Sequence, residues 1–225
     1  MGLVVELCGL PGSGKSALAE ATCAALRRHG VEAVVADLPV SAAAPASARV
    51  RRKVLAAAAA AAGDPVATAR VVRAVAGSRP TPRDGLGLAA QWLTVRGLQR
   101  AARARVGVSL VEEGVVQTLW SLALRAPEDG AGVPRMLDAW SPDLLVVVDA
   151  PLDVLLGRLE SRASRHSRTQ RLAVDRREPE LERGRLLLDL LVDTVPCGRI
   201  TVPNDGSVPI EELGRHTAEW VLRVG

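Results

Sequence analysis

An eight-residue segment near the start of the chain constrains its fold most strongly. Residues 9–16 read Gly-Leu-Pro-Gly-Ser-Gly-Lys-Ser and match the P-loop pattern G-x-x-x-x-G-K-[ST] at every position. A short apolar run, Leu3–Cys8, precedes the segment, and a helix-forming run, Ala17–Arg28, follows it. Glycines in such a loop let backbone N–H groups close around a phosphate chain, and the helix adds the positive end of its dipole. The sequence therefore predicts a strand, a phosphate-binding loop and a helix in succession.

The lysine of this motif stands out against the composition of the chain. Of its 29 basic residues only Lys15 and Lys53 are lysine, and all the others are arginine. In a chain with so few lysines, a lysine would rarely stand by chance at the one position where the motif requires it. We expect Lys15 to reach the β- and γ-phosphates of a nucleoside triphosphate and the Ser16 hydroxyl to bind Mg²⁺. The residues predicted to line the triphosphate are Gly9, Pro11, Gly12, Ser13, Gly14, Lys15, Ser16 and Ala17.

Length and charge narrow the class of protein. A chain of 225 residues fits one α/β domain over residues 1–225, and its 48% of apolar residues can supply a core. The net charge of +4 does not predict a nucleic-acid partner, because acidic residues are interleaved with the basic ones and aromatic residues do not accompany them. The apolar runs are too short to span a membrane, and the three cysteines show no metal-ligand spacing. We therefore expect a cytoplasmic protein with reduced thiols and no membrane partner.

Five short runs rich in valine, leucine or isoleucine are typical of buried parallel strands. They are Leu3–Cys8, Glu32–Ala36, Val108–Val111, Leu144–Val148 and Arg199–Val202. Helical patterns separate these runs, which predicts a five-stranded parallel sheet with helices on both faces, a three-layer α/β/α fold. Ligands of such sheets bind beyond the carboxyl ends of the strands, so the residues that follow each run are site candidates.

Residues 41–105 separate the second and third strands by far more than one crossover helix needs. They contain an alanine-rich helix predicted at Arg49–Ala62, a helix at Pro65–Ala76, a loop at Gly77–Gly87 and a helix at Leu88–Arg105. No composition break or internal repeat marks a second domain. We interpret the stretch as a helical insertion, with helices on the sheet and a lid that faces the substrate.

Acidic residues follow the second and third strands. Glu112 and Glu113 come directly after Val108–Val111, where an acid beside a phosphate-binding loop can hold the water shell of Mg²⁺. Neighbouring strand residues point to opposite sides, so the sequence leaves open which of the two faces the metal. A surface acidic pair before a turn is the alternative. Asp37 follows the second strand, where it could accept a proton from an attacking hydroxyl or merely cap the turn before Pro39.

A series of arginines follows the fourth strand. Arg158 and Arg162 lie four residues apart, on one face of a predicted helix, and Arg165 and Arg168 extend the series. Guanidinium groups neutralise the negative charge that spreads over phosphate oxygens during transfer. We therefore predict an arginine lid over residues 158–180. A solvated basic face that pairs with nearby acids is the alternative.

These motifs resemble those of the P-loop nucleoside and nucleotide kinases, most closely the thymidylate-kinase-like branch. The likeness rests on Gly9–Ser16, Glu112–Gly114 and Val146–Pro151 with Arg158 and Arg162. It implies a P-loop NTPase fold, with ATP and Mg²⁺ as cofactors. In this family the loop after the fifth strand borders the adenine, which here assigns Asn204 and Asp205 to the nucleotide.

The same resemblance implies where the phosphate acceptor binds. The acid or base of this family and the residues that orient its acceptor lie at the ends of the second and third strands, which here offer Asp37 and Glu112 or Glu113. Its acceptor-binding residues lie on the long helix before the third strand. On that helix this chain has Gln91, Trp92, Arg96 and Gln99. The chain has no Phe or Tyr to stack on an acceptor base, so Trp92 or Trp120 would take that place.

Two classes of function are compatible with the sequence. We expect a kinase that passes the γ-phosphate of ATP·Mg to a nucleoside, a nucleotide or a related small-molecule acceptor, with Lys15, Arg158 and Arg162 stabilising the transferring group. The alternative is a regulatory or mechanical ATPase or GTPase without such an acceptor. Guanine-specific P-loop proteins carry an Asn-Lys-x-Asp stretch, which this chain lacks. The sequence leaves open which acceptor and which triphosphate the protein uses, and whether it forms a homodimer.

Overall fold

A computed structural model describes residues 2–36, 82–124, 141–161 and 172–225, together with isolated positions between 58 and 73. The strands are β1 (Leu3–Gly9), β2 (Ala33–Ala36), β3 (Val108–Val111), β4 (Leu144–Asp149) and β5 (Gly198–Pro203). The helices of the described part are α1 (Lys15–Arg28), α2 (Pro82–Ala104), α3 (Val115–Ala123), α4 (Leu152–Ser161), α5 (Val174–Thr194) and α6 (Ile210–Val224).

The five strands form one sheet in the order β2-β3-β1-β4-β5, and every neighbouring pair is parallel. All five predicted strands are confirmed, each with its ends within one residue of the expected ones. The protein therefore belongs to the predicted α/β class with a five-stranded parallel sheet. Because the pairs are parallel, all five carboxyl ends lie along one edge, and the central position of β1 puts the segment after Gly9 in the middle of that edge.

Helices cover both faces of the sheet, an arrangement compatible with the predicted three-layer α/β/α fold. On one face α1 packs against β1 and α6 packs against α1 and β5, and Leu7, Leu18 and Trp220 belong to one buried apolar cluster. On the other face α2, α3 and α5 enclose a second cluster that contains Leu119 and Leu188. Apolar surface is thus removed from water on both sides of the strands, which accounts for their nearly continuous apolar sequence.

The insertion departs from the prediction at one boundary. Helix α2 begins at Pro82, so the predicted loop Gly77–Gly87 is wrong for residues 82–87. Glycines at 85 and 87 weaken a helix by roughly 1 kcal/mol each, so the local sequence favours a loop over the helix that forms. Proline is well tolerated in the first turn, and the buried stripe of Trp92, Val95 and Ala102 holds the following turns against the sheet. The described positions between 58 and 73 are helical, in agreement with the predicted helices there except at Gly63, which lies between the two predicted helices.

Within the part of the chain that the structure describes, no helix is long and apolar enough to cross a membrane. All three cysteines are free thiols; Cys8 and Cys23 are buried and Cys197 is half-buried. Burial raises the pKa of the Cys197 thiol to about 11, which keeps it protonated at neutral pH.

Candidate functional site

The Gly9–Ser16 segment turns sharply between β1 and α1. Gly12 and Gly14 both have φ of +92°, in the left-handed region that side chains rarely adopt. A Cβ atom at Gly14 would also lie 2.3 Å from the Asn204 side-chain nitrogen. Both positions therefore require glycine because of their backbone conformation. Gly14 requires it also because a side chain there would clash with Asn204.

The Lys15 side chain folds back over the start of this segment. Its ammonium nitrogen donates to the carbonyl oxygens of Gly9 over 2.8 Å and of Leu10 over 3.1 Å. Ser13 is 1% exposed, and its hydroxyl oxygen has no hydrogen-bond partner among the described residues. A buried hydroxyl without a partner is uncommon in proteins, and it lies in the segment where a phosphate chain is expected.

The Ser16 hydroxyl donates a short hydrogen bond to the Glu112 carboxylate. Ser16 is the second residue of α1 and Glu112 the first residue after β3, and the parallel pairing of β1 with β3 brings these two ends together. Glu113 is exposed. Of the two acids that the sequence left open, the structure thus places Glu112 against the Gly9–Ser16 segment.

A hydroxyl and a carboxylate side by side are oxygen ligands of the kind that Mg²⁺ prefers. Magnesium commonly keeps several waters and binds only one or two protein oxygens besides its phosphates, so Ser16 and Glu112 suffice for it. The described residues contain no group of three or more His, Cys, Asp or Glu arranged for a metal. The donor set therefore fits a metal that arrives with a triphosphate.

Residues from α4 and from the end of β5 contact the same segment. The Asn204 side-chain nitrogen donates to the Ser13 carbonyl oxygen over 2.7 Å, and Asn204 is buried. Arg158 donates to the Asn204 carbonyl oxygen over 3.0 Å and to the Gly12 carbonyl oxygen over 3.4 Å. The structure thus brings together Arg158, Asn204 and the glycine segment, which are 46 or more residues apart in sequence.

Glu6 is a buried acid that reasoning from the sequence missed. It is fully buried in β1, and its carboxylate accepts the backbone N–H groups of Val115 over 2.9 Å and Gln117 over 3.0 Å. Burial raises the pKa of Glu6 to about 7, although the backbone hydrogen bonds act in the opposite direction. The one signal available in the sequence was an acid inside an otherwise apolar strand.

Gln117 is a second residue that sequence analysis did not identify. Its side-chain oxygen accepts the backbone N–H of Gly9 over 3.1 Å, 108 residues away in the chain. The first turn of α3 is thereby attached to the point where β1 passes into the glycine segment. Nothing in the sequence around Gln117 indicated this contact.

The predicted acceptor residues divide into two groups. On α2, Gln91 and Arg96 are half-buried, whereas Trp92 and Gln99 are 3% and 4% exposed. Trp120 lies in the core beside α5, where its indole N–H donates to the Gly184 carbonyl oxygen over 2.7 Å. These placements leave Gln91 and Arg96 with more accessible surface than the two tryptophans.

Other predicted site residues are exposed or lie outside the described part. Asp205 is exposed and accepts two hydrogen bonds from Ser207, which lower the pKa of its carboxyl group. In the predicted lid at 158–180, residues 158–161 belong to α4 and residues 174–180 to α5. The candidates outside the described residues are Asp37, Arg162, Arg165 and Arg168.

A cavity of about 330 Å³ lies between α5 and the adjoining strands β4 and β5. Its charged lining residues are Asp149, Arg185, Asp189, Asp193 and Arg199. Arg185 pairs with Asp149 and Arg199 pairs with Asp193. Burial, reinforced by the charge of Asp149, raises the pKa of Asp189. Three aspartates against two largely engaged arginines disfavour the binding of a polyanion in this cavity.

Comparison with known proteins gave no matching protein-family model and no match among curated proteins. What the chain does is therefore inferred from its own residues and their geometry.

Proposed function

We propose that the protein is an ATP-dependent small-molecule kinase and that the Gly9–Ser16 segment is its P-loop. The observation that carries this proposal is the contact of Glu112 with Ser16, on the same segment over which the Lys15 ammonium folds back. A triphosphate with its metal requires a hydroxyl, a cation and a carboxylate. Here the hydroxyl and the cation belong to one glycine-rich segment at the carboxyl edge of a parallel sheet, and the carboxylate contacts that segment from the end of β3.

The segment offers several donors to a phosphate chain. Gly14 precedes α1 and has no side chain to cap it, so the first N–H groups of that helix can turn to an anion. The Ser13 hydroxyl, which has no partner in the described part of the chain, would gain an acceptor. Lys15 now donates to two neutral carbonyl oxygens, and a charged phosphate oxygen would be the stronger acceptor. Each of these groups improves its hydrogen bonding when a triphosphate binds.

Ser16 and Glu112 would hold Mg²⁺, whose charge offsets that of the phosphate oxygens. Arg158 lies between the carbonyl oxygens of Gly12 and Asn204, so its guanidinium can remain beside the phosphates during transfer. Arg162, four residues further along the sequence, is proposed to extend this positive surface.

In the proposed reaction an acceptor oxygen attacks the γ-phosphorus, the bond from the γ-phosphorus to the bridging oxygen breaks, and ADP leaves with that oxygen. The proton of an acceptor hydroxyl passes to a carboxylate, for which Asp37 and Glu113 are the candidates. Catalysis then consists of holding the two oxygens in line and neutralising the charge between them, which are the tasks of Lys15 and the arginines.

The test is a screen of ATP consumption with separate pools of nucleosides, nucleoside monophosphates, sugars and hydroxylated natural products. We expect ADP to form with one pool and not without an acceptor. Lys15→Ala should abolish this activity, because the ammonium is lost from the phosphates. Arg28→Ala, which removes an exposed cation at the far end of α1, is the matched control and should leave it unchanged. ADP release that no acceptor stimulates would support the regulatory ATPase instead.

Arg96 can distinguish two classes of acceptor within the kinase proposal. An acceptor that carries a phosphate needs a cation near the third-strand acids, and Arg96 on α2 is the half-buried arginine expected there. A neutral acceptor needs only hydrogen-bonding groups such as Gln91. Arg96→Gln should therefore raise the KM of a nucleotide acceptor about tenfold or more and change that of a neutral one little.

A further inference from the structure

Two short chains of hydrogen bonds and backbone join the buried Glu6 to the glycine segment. In the first, Glu6 accepts the backbone N–H of Gln117, and the Gln117 side chain accepts the backbone N–H of Gly9. In the second, Glu6 accepts the backbone N–H of Val115, three residues after Glu112, whose carboxylate binds Ser16. Both ends of the proposed triphosphate site therefore connect to the same turn of α3.

The first turn of α3 depends on Glu6 for its acceptor. Gly114 precedes the helix and supplies no side-chain cap, so the leading N–H groups require an acceptor from elsewhere. Glu6 occupies the space beside Gly114 so closely that a Cβ there would lie 2.2 Å from the Glu6 carboxyl carbon. A carboxyl group inside a strand is costly to bury, and serine or aspartate at position 114 could have capped the helix without it. The burial of Glu6 beside α3 therefore indicates a role besides capping this helix.

We propose that Glu6 is a positioning residue for phosphoryl transfer, acting through the first turn of α3 on Gly9 at the phosphate side and on Glu112 at the metal side. The proposal rests on the kinase function proposed above. Both Glu6 oxygens are engaged with the backbone of α3, so Glu6 acts on substrates only through the residues that it holds.

The test is steady-state kinetics of Glu6→Gln with varied ATP and varied Mg²⁺. Glutamine keeps the size of the side chain but offers one acceptor and one donor, so its amide NH₂ faces an N–H group of α3 and that turn must shift. Transfer is more sensitive than binding to displacements of this size. We expect kcat to fall about 30-fold, KM for ATP to change less than about threefold, and the Mg²⁺ concentration for half-maximal rate to rise about fivefold.

Three further variants separate positioning from a general loss of stability. Gln117→Leu breaks the first chain while Glu6 stays in place, and we expect about a tenfold lower kcat. The matched control is Thr118→Val, one residue along α3, which removes a buried hydroxyl that has no hydrogen-bond partner among the described residues and nearly keeps the volume. It should leave kcat and the Mg²⁺ dependence unchanged. The double variant with Glu6→Gln and Gln117→Leu should be no slower than Glu6→Gln alone, because both changes interrupt one connection.

The outcomes distinguish this proposal from the kinase proposal. An unchanged kcat and Mg²⁺ dependence in Glu6→Gln would overturn the role of Glu6, while loss of activity in Lys15→Ala would still support the kinase. If Glu6→Gln does not fold, the kcat of Gln117→Leu tests the proposal instead. A wild-type kcat in Gln117→Leu would then contradict the proposal. A wild-type protein that binds no ATP·Mg refutes the kinase proposal first and this one with it.

Discussion

The side-chain amide of Asn204 donates a hydrogen bond to the Ser13 carbonyl oxygen over 2.7 Å and so ties the turn after β5 to the segment after β1. Asn204 is in turn held at its backbone, since its N–H donates to the Asp149 carbonyl oxygen over 2.7 Å. The carboxyl ends of three neighbouring strands are thereby joined at the glycine segment. The shape of that segment depends on tertiary contacts as well as on its glycines.

Asn204→Ala should loosen this connection. The Ser13 carbonyl oxygen would lose its buried donor, at a cost of roughly 2 kcal/mol in the free energy of unfolding, and ATP should bind about tenfold more weakly. Urea unfolding and titration with ATP·Mg measure the two effects. Ser207→Ala, an exposed change three residues away, is the control for stability. Wild-type ATP affinity in a measurably destabilised Asn204→Ala would show that the segment keeps its shape without this contact.

Gly14 and Gly30 form a matched pair for testing the geometry of the glycine segment. Both have positive φ, but a Cβ at Gly14 would meet the Asn204 amide, whereas the space around Gly30 is open. Alanine at either position should cost about 1 kcal/mol of backbone strain. Only Gly14→Ala should also abolish ATP binding, as calorimetric titration would show. Equal effects of the two substitutions on ATP affinity would argue against a binding role for the segment.

Glu6 should make the stability of the protein depend on pH. Its pKa is raised from 4.5 to about 7 in the folded protein, which therefore binds more protons than the unfolded chain between these values. The contribution of Glu6 to the free energy of unfolding must fall as pH rises through that window, by roughly 3 kcal/mol in total. Glu6→Gln lacks this titration. The difference in unfolding free energy between wild type and Glu6→Gln should thus shift by this amount from about pH 4 to about pH 8, and a constant difference would contradict the burial of an ionisable Glu6.

Trp120→Phe tests whether this tryptophan is a core residue or an acceptor residue. The substitution removes the indole donor to Gly184 and part of the side-chain volume, so we expect a loss of roughly 2 kcal/mol in stability. Once an acceptor is found, its KM should stay within about threefold of wild type, because Trp120 is only 6% exposed. A raised KM for the acceptor together with unchanged stability would show that Trp120 contacts the acceptor and is not simply a core residue.

Two features could be predicted from the sequence because they follow from local patterns. They are the five strands and the approach of the acid after β3 to the Gly9–Ser16 segment. Strands buried on both faces are continuous apolar runs, which valine and leucine mark plainly at Val108–Val111 and Leu144–Asp149. Parallel strands also align their carboxyl ends, so an acid after β3 was expected near the motif after β1. The contact of Glu112 with Ser16 agrees with that expectation.

The contacts of Glu6 and Gln117 could not be predicted because they depend on how α3 packs across β1. Each hydrogen bond joins residues 108 to 111 apart, and no periodicity or turn signal encodes such a contact. The burial of Trp120 could not be predicted from the sequence either. Helix α3 is apolar on most of its surface, so its sequence does not tell a buried indole from one that faces a ligand.

The most direct test of the central claim follows the γ-phosphate of ATP labelled at that position. Wild-type protein, Mg²⁺ and the active acceptor pool would be incubated together, and the label in the acceptor compared with the label in inorganic phosphate. We predict that the label moves into the acceptor, and that Lys15→Met, which preserves side-chain length without charge, transfers none while it remains folded. Label released only as inorganic phosphate, or transfer at the wild-type rate by Lys15→Met, would contradict the proposed kinase.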